Sequence, residues 1–134
     1  MDDKKTRVNK KERNVMMSDI VKMPKPPYYA VIFSSERTKG DRGYGAMADK
    51  MVELASQQEG FLGIESARDE GLGITVSYWK SLEAIQQWKE HAAHLVAQRR
   101  GKEEWYTRFS LRVCKVERQS FFDVSEMDEN HPLK

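Results

Sequence analysis

The chain has 134 residues, of which 39% are hydrophobic and 33% are charged, with 23 Lys and Arg against 21 Asp and Glu. This length suits one globular domain, and the lack of an apolar run near ~20 residues argues against an integral membrane protein. A formal charge of +2 predicts no nucleic-acid partner, and Cys114 is the single cysteine, which excludes an internal disulfide.

Charge, proline and glycine divide the chain into three segments. Residues 1–27 hold 8 basic and 4 acidic side chains, residues 28–118 hold 14 and 13, and residues 119–134 hold 1 and 4, which gives charges of +4, +1 and −3. We therefore expect an N-terminal arm over 1–27, either disordered or docked as a strap, a folded domain over 28–118, and an acidic tail over 119–134. The chain begins with charged residues and no apolar stretch follows them, which predicts a cytoplasmic location.

Periodicity predicts six main elements in the folded segment. In chain order these are a strand over 28–35, a helix over 46–58 after a glycine-rich loop at 40–45, strands over 61–68 and 73–80 joined by a turn at 69–72, a helix after Ser81 with a second helical stretch over 94–100, and a strand over 107–117. The order βαββαβ is typical of a ferredoxin-like α+β fold, with an antiparallel sheet and helices on one face.

The first strand predicts how the sheet is covered. It is apolar on both faces, with Ala30 and Ile32 on one and Val31 and Phe33 on the other. Because helices cover only one face, we expect a second copy of the chain to cover the other, giving a homodimer. A small-molecule pocket is then expected between each sheet and its own helices.

Candidate functional residues lie on the second helix, in the glycine-rich loop and on the last strand. His91 and His94 are three residues apart and are candidate bases, whereas two imidazoles do not make a metal site. Trp88 either packs in the core or stacks on a ligand, and both interpretations stay open. Tyr44, in the glycine-rich loop, is a candidate ligand contact. Arg112 lies on the strand face opposite Leu111, from which it reaches either the dimer interface or the pocket.

Several motifs resemble the antibiotic biosynthesis monooxygenase (ABM) family. The chain contains a strand ending in Tyr-Trp, the pattern W-x-S-x-E-A-x-x-x-W over 79–88, the pattern H-x-x-H-x-x-x-Q over 91–98 and an E-G-F-x-G turn at 59–63. The resemblance covers about residues 28–122 and implies a dimeric α/β barrel. It also implies a cofactor-independent monooxygenase, in which the anion of a small aromatic or quinol-like metabolite itself reduces oxygen.

The resemblance also implies roles for individual residues. In a dry pocket, His91 or His94 would accept the proton, Trp88 would form a wall, and Arg112 or Tyr78 would stabilise the substrate anion. We expect no cofactor and no metal, and the expected partners are a second copy of the chain and a small aromatic ligand.

Two alternative functions follow from the same resemblance. One is a non-catalytic ligand-binding or stress-related dimer with the same fold. The other is a haem-binding or haem-degrading protein, since Trp88 matches the catalytic tryptophan of that branch. Against haem, Gln98 stands where that branch has its haem-ligating histidine, and the strand Tyr28–Phe33 contains no asparagine.

Overall fold

The structure is a computed structural model that describes residues 20–98 and 105–126. Four antiparallel strands form one sheet in the order β2-β3-β1-β4. The ferredoxin-like α+β fold is therefore confirmed. In chain order the elements are β1 (Tyr28–Arg37), α1 (Tyr44–Ser56), β2 (Phe61–Arg68), β3 (Gly73–Trp79), α2 (Leu82–Gln98), β4 (Tyr106–Val116) and a short 3-10 helix (Val124–Glu126).

The two predicted parts of the second helix are one continuous helix, α2, as far as Gln98. Residues 99 and 100 of the predicted stretch lie outside the described residues, as do residues 1–19 of the predicted arm and 127–134 of the predicted tail. No helix within 20–98 and 105–126 has both the length and the apolar character needed to cross a bilayer.

Side chains that accept hydrogen bonds from backbone N–H groups lie at the start of both helices and at the hairpin turn. The Asp41 carboxylate accepts hydrogen bonds from the backbone N–H groups of Gly43 and Gly45, both at 3.0 Å, so α1 begins two residues before its predicted start. The Ser81 hydroxyl accepts from the N–H of Ala84 at 3.1 Å and caps α2. The predicted hairpin turn forms because the Asp69 carboxylate accepts from two N–H groups of the turn, each at 2.7 Å.

The core lies between the sheet and the helices and is centred on Trp79, which is 0% exposed. Phe61 meets this indole edge-to-face with ring centroids 5.4 Å apart. Gly60 allows the close approach of β2 and α2, because a Cβ at this position would lie 2.7 Å from the Ala84 Cβ. The other residues of the core cluster are Ala55, Ala84 and Ile85, with Tyr29, Val31 and Trp88 packed against it.

The face of the sheet without helices, here called the outer face, is partly covered by residues 20–27 of the same chain. The N–H of Val21 donates to Glu65 Oε2 at 2.9 Å. From the other end of the domain, Gln119 Nε2 donates to the Pro24 carbonyl at 2.8 Å and Gln119 Oε1 accepts from the Tyr28 hydroxyl. A second copy of the chain is therefore not needed to cover this part of the outer face.

We expect Gly63→Ala to displace residues 20–27 from the sheet. A Cβ at Gly63 would lie 2.7 Å from Val21 Cγ1 and 2.8 Å from Met23 Cε, which is too close for both to stay in place. The measurement is hydrogen exchange at the Val21 amide, which should become at least roughly tenfold faster as its bond to Glu65 opens. Gly71→Ala is the control, because a Cβ at Gly71 would lie 3.8 Å from its nearest atom, Asp69 Oδ1, which is an ordinary van der Waals distance. Unchanged protection of Val21 in the Gly63 variant would contradict the docking.

Candidate functional site

The helices leave part of their own side of the sheet open. On β4, Phe109, Leu111 and Val113 are 40%, 49% and 53% exposed. Their partners across the sheet are Ser35, Phe33 and Val31 on β1, of which the last two are half-buried. We call the surface formed by Val31, Phe33, Phe109, Leu111 and Val113 the β4 groove. An exposed apolar surface of this kind suits a flat hydrophobic ligand.

Trp88 and His91 lie on α2, on the helix-covered side. The Trp88 ring is half-buried and stacks on Trp79, with centroids 6.1 Å apart and planes inclined by 23°. The exposed imidazole of His91 also lies beside Trp88, with ring centroids 5.9 Å apart and planes inclined by 34°. Trp88 thus packs against the core and is also partly exposed to solvent. Its position is therefore compatible both with a core residue and with a residue that stacks on a ligand. The side chain of His94 lies outside the described residues.

Tyr44 closes one end of the groove. It is the first residue of α1, and its ring meets Tyr106 edge-to-face at 5.8 Å and Trp105 at 6.0 Å. Trp105 fixes the preceding loop, since its Nε1 donates to the Arg42 carbonyl at 2.9 Å. Burial raises the pKa of Tyr106, and its hydrogen bond with Tyr44 raises it further. The Tyr106 hydroxyl is therefore a neutral group at physiological pH.

The remaining predicted contacts, Tyr78 and Arg112, lie on the outer face. Tyr78 pairs with Ala30, and Arg112 pairs with Ile32, positions whose side chains alternate with the groove residues of β1. The sheet therefore separates both residues from Trp88 and His91 of the same chain. The predicted grouping of all four residues around one ligand does not form within one chain.

The surroundings of these two residues also differ from those of a pocket donor. The Tyr78 hydroxyl donates to Glu65 Oε1 at 2.5 Å. Burial is the main cause that raises the pKa of Tyr78, and the bonded Glu65 carboxylate raises it further. Arg112 is exposed and donates from Nη1 to the Ser110 hydroxyl at 3.0 Å. Tyr78 thus helps to fix the carboxylate that holds residues 20–27.

Sequence reasoning missed several residues beside the groove, above all Arg68 and Arg37. Arg37 stacks on the Tyr44 ring with Cζ 3.7 Å from the centroid, and Arg68 Cζ lies 5.9 Å from the same centroid. The available signal was the predicted hairpin, because its register places Arg68 opposite a glycine, Gly73. In the described part of the chain, no three His, Cys, Asp or Glu side chains group as a metal site requires.

The fold is that of a small α+β domain, and its helix-covered face carries the exposed apolar surface of the β4 groove. The family model for antibiotic biosynthesis monooxygenase matches residues 28–100, more than half of the chain. The chain therefore belongs to the antibiotic biosynthesis monooxygenase family, as the sequence motifs predicted.

Three proteins of known sequence or structure are similar to this chain. The uncharacterized protein YqjZ of Bacillus subtilis (strain 168) is 50% identical over 114 residues, which cover 84% of this chain and 100% of YqjZ. A variant of SnoaB, a cofactor-independent oxygenase from Streptomyces nogalater, has a similar structure, with a TM-score of 0.59 at 9% identity over 72% of this chain and 98% of SnoaB. PA3566 from Pseudomonas aeruginosa gives a TM-score of 0.55 at 14% identity, over 72% of this chain and 99% of its own. Both structures share the fold.

Proposed function

We propose that this protein is a cofactor-independent monooxygenase that acts on a small aromatic or quinol-like substrate bound in the β4 groove. The observation that carries the proposal is an exposed apolar floor on the helix-covered side, on which α2 also carries Trp88 and the accessible imidazole of His91. Family membership supports the class of reaction, and SnoaB is a cofactor-independent oxygenase of the same fold.

The proposed reaction oxidises an activated CH₂ group, as in an anthrone or the keto form of a phenol. The His91 imidazole takes one proton, and the resulting anion gives an electron to O₂; the radical and superoxide then join in a C–O bond. The conjugate acid protonates the peroxide. Loss of the second C–H proton breaks the O–O bond and leaves a carbonyl, so that CH₂ and O₂ become C=O and H₂O. A substrate bound on the apolar floor of the groove would lose its water on that side, which favours these steps.

The same proposal includes a cytoplasmic homodimer. The part of the outer face not held by residues 20–27 carries Ile74, which is 41% exposed, together with the exposed Cys114 and the half-buried Ile32 and Val76. Burial of this apolar area against a second copy would add stability that a domain of this size needs. Sedimentation at micromolar concentration should give the mass of two chains, and Ile74→Lys should shift it toward one; a wild-type monomer would contradict the dimer.

The test of the proposed activity is oxygen uptake by the purified chain with a panel of anthrones and hydroquinones. With an anthrone we expect one O₂ consumed for each carbonyl formed, in protein treated with a chelator and free of flavin and haem absorption. A non-catalytic binder would perturb tryptophan fluorescence with these compounds but consume no O₂. A stoichiometric haem complex with a shifted Soret band would favour the haem alternative and contradict the proposal.

A further inference from the structure

Arg68 reaches the helix-covered side of the sheet by lying across a glycine. It ends β2 directly opposite Gly73 of β3, and Gly73 is in turn opposite Ser35 of β1. The guanidinium lies over Gly73 and donates from Nη2 to the hydroxyl of Ser35, which is 2% exposed. A Cβ at Gly73 would overlap Nε, Cζ and Nη2 of Arg68. The absence of a side chain at Gly73 therefore allows the cation to cross β3.

The guanidinium of Arg68 keeps donors available for a ligand. Within the described residues, neither Arg68 nor Arg37 forms an ion pair with a carboxylate. Arg37 is occupied with the carbonyls of Trp105 and Gly40, at 3.3 and 3.1 Å. The neighbouring carboxylate of Asp69 is bonded to the N–H groups of its own turn. Because a guanidinium has five N–H donors, the bond to Ser35 leaves Arg68 able to bind an anion through two of them.

This cation stands at one end of the β4 groove. Ser35 follows Phe33 by two residues on the same face of β1, a distance of roughly 7 Å along a strand. Phe33 contacts the rings of Phe109 and Tyr106, each with centroids 5.5 Å away. An aromatic ring lying on this floor would therefore bring a substituent on its edge to Arg68.

We propose that Arg68 binds a carboxylate on the aromatic ligand, so that the ligand of the β4 groove is an aromatic acid. That the ligand is aromatic rests on the proposed function, whereas the binding of a carboxylate by Arg68 does not depend on it. Arg37 adds a second positive charge beside Tyr44, and the neutral Tyr106 hydroxyl next to it adds no repulsion. The carboxylate would accept two parallel N–H bonds from Arg68, which fixes the orientation of the ring in the groove.

The test compares two probes of one shape, 2-naphthoate and its neutral analogue 2-naphthamide, by titration calorimetry with the full chain at low salt. We expect the wild type to bind the carboxylate roughly tenfold or more tightly than the amide, the size of a charge-assisted hydrogen bond. Arg68→Gln should abolish this preference and leave the amide affinity unchanged. Arg118→Gln is the matched control, since it removes one exposed charge beyond the far end of β4 and should keep the preference.

Gly73→Ala provides a second variant that keeps every charge. Its methyl group displaces the guanidinium from the face of the sheet, so the preference for carboxylate should fall at least about threefold while the circular dichroism spectrum stays native. Equal affinities of the two probes for the wild type, binding of neither at millimolar concentration, or an unchanged preference in Arg68→Gln would each overturn the anion site. Lack of oxygen uptake alone would contradict the proposed function and leave the carboxylate preference standing.

Discussion

Replacing Trp79 by alanine is expected to lower the free energy of unfolding by about 3–5 kcal/mol, the usual cost of removing a large aromatic side chain from a core. Trp79 is fully buried, and it packs with Phe61, Trp88 and the first turn of α2. Its Nε1 also donates to the hydroxyl of Ser77 at 2.9 Å, and Ser77 is itself buried. The variant therefore loses apolar contacts and leaves a buried hydroxyl without its partner.

Urea denaturation followed by circular dichroism measures this effect without relying on tryptophan fluorescence. Since small domains are stable by only about 5–15 kcal/mol, the urea concentration at the midpoint should fall by roughly a fifth or more. Trp79→Phe is the conservative control and should lose less, because it keeps the ring contacts. Trp88→Ala should also cost less, since Trp88 is only half-buried. If the Trp88 variant were as unstable as the Trp79 variant, Trp88 would be a core residue and not a ligand contact.

Elements with a strong local signal were predictable from the sequence. The alternation of Phe61–Arg68 gave β2 with its observed bounds, and Ser81 caps α2 as its hydroxyl chemistry indicated. The bounds of α1 were shifted because the Asp41 carboxylate, which lies before the apolar periodicity begins, extends the helix backward to Tyr44. Periodicity locates the buried face of a helix, whereas side-chain caps determine its ends.

The candidate site was predictable only in part. Trp88 and His91 lie together because they are three residues apart on one helix, which is a local property. Tyr78 was placed beside them for its hydroxyl, although it is adjacent in a strand to the core residue Trp79 and must face the other way. Arg68 could not be assigned from local pattern, because its position depends on β3 and β1 being aligned across the sheet.

Replacing His91 by glutamine is expected to lower kcat by roughly 10²–10⁴-fold, the range for loss of a general base, with KM changed much less. The imidazole is exposed and lies beside the Trp88 ring, so it is available to accept a proton from a substrate and is not part of the buried core. The free energy of unfolding should change by less than about 0.5 kcal/mol, as for other exposed positions. Oxygen-uptake kinetics and urea denaturation of the same preparation measure the two quantities.

Glu90→Gln is the control for the helix surface, because Glu90 is the exposed neighbour of His91 and accepts a 3.2 Å hydrogen bond from Gln86. It should leave kcat within about twofold of the wild type, as expected for a surface residue without a chemical role. His94→Gln distinguishes the two candidate bases. A large loss of kcat in that variant, with full activity in His91→Gln, would move the base to His94.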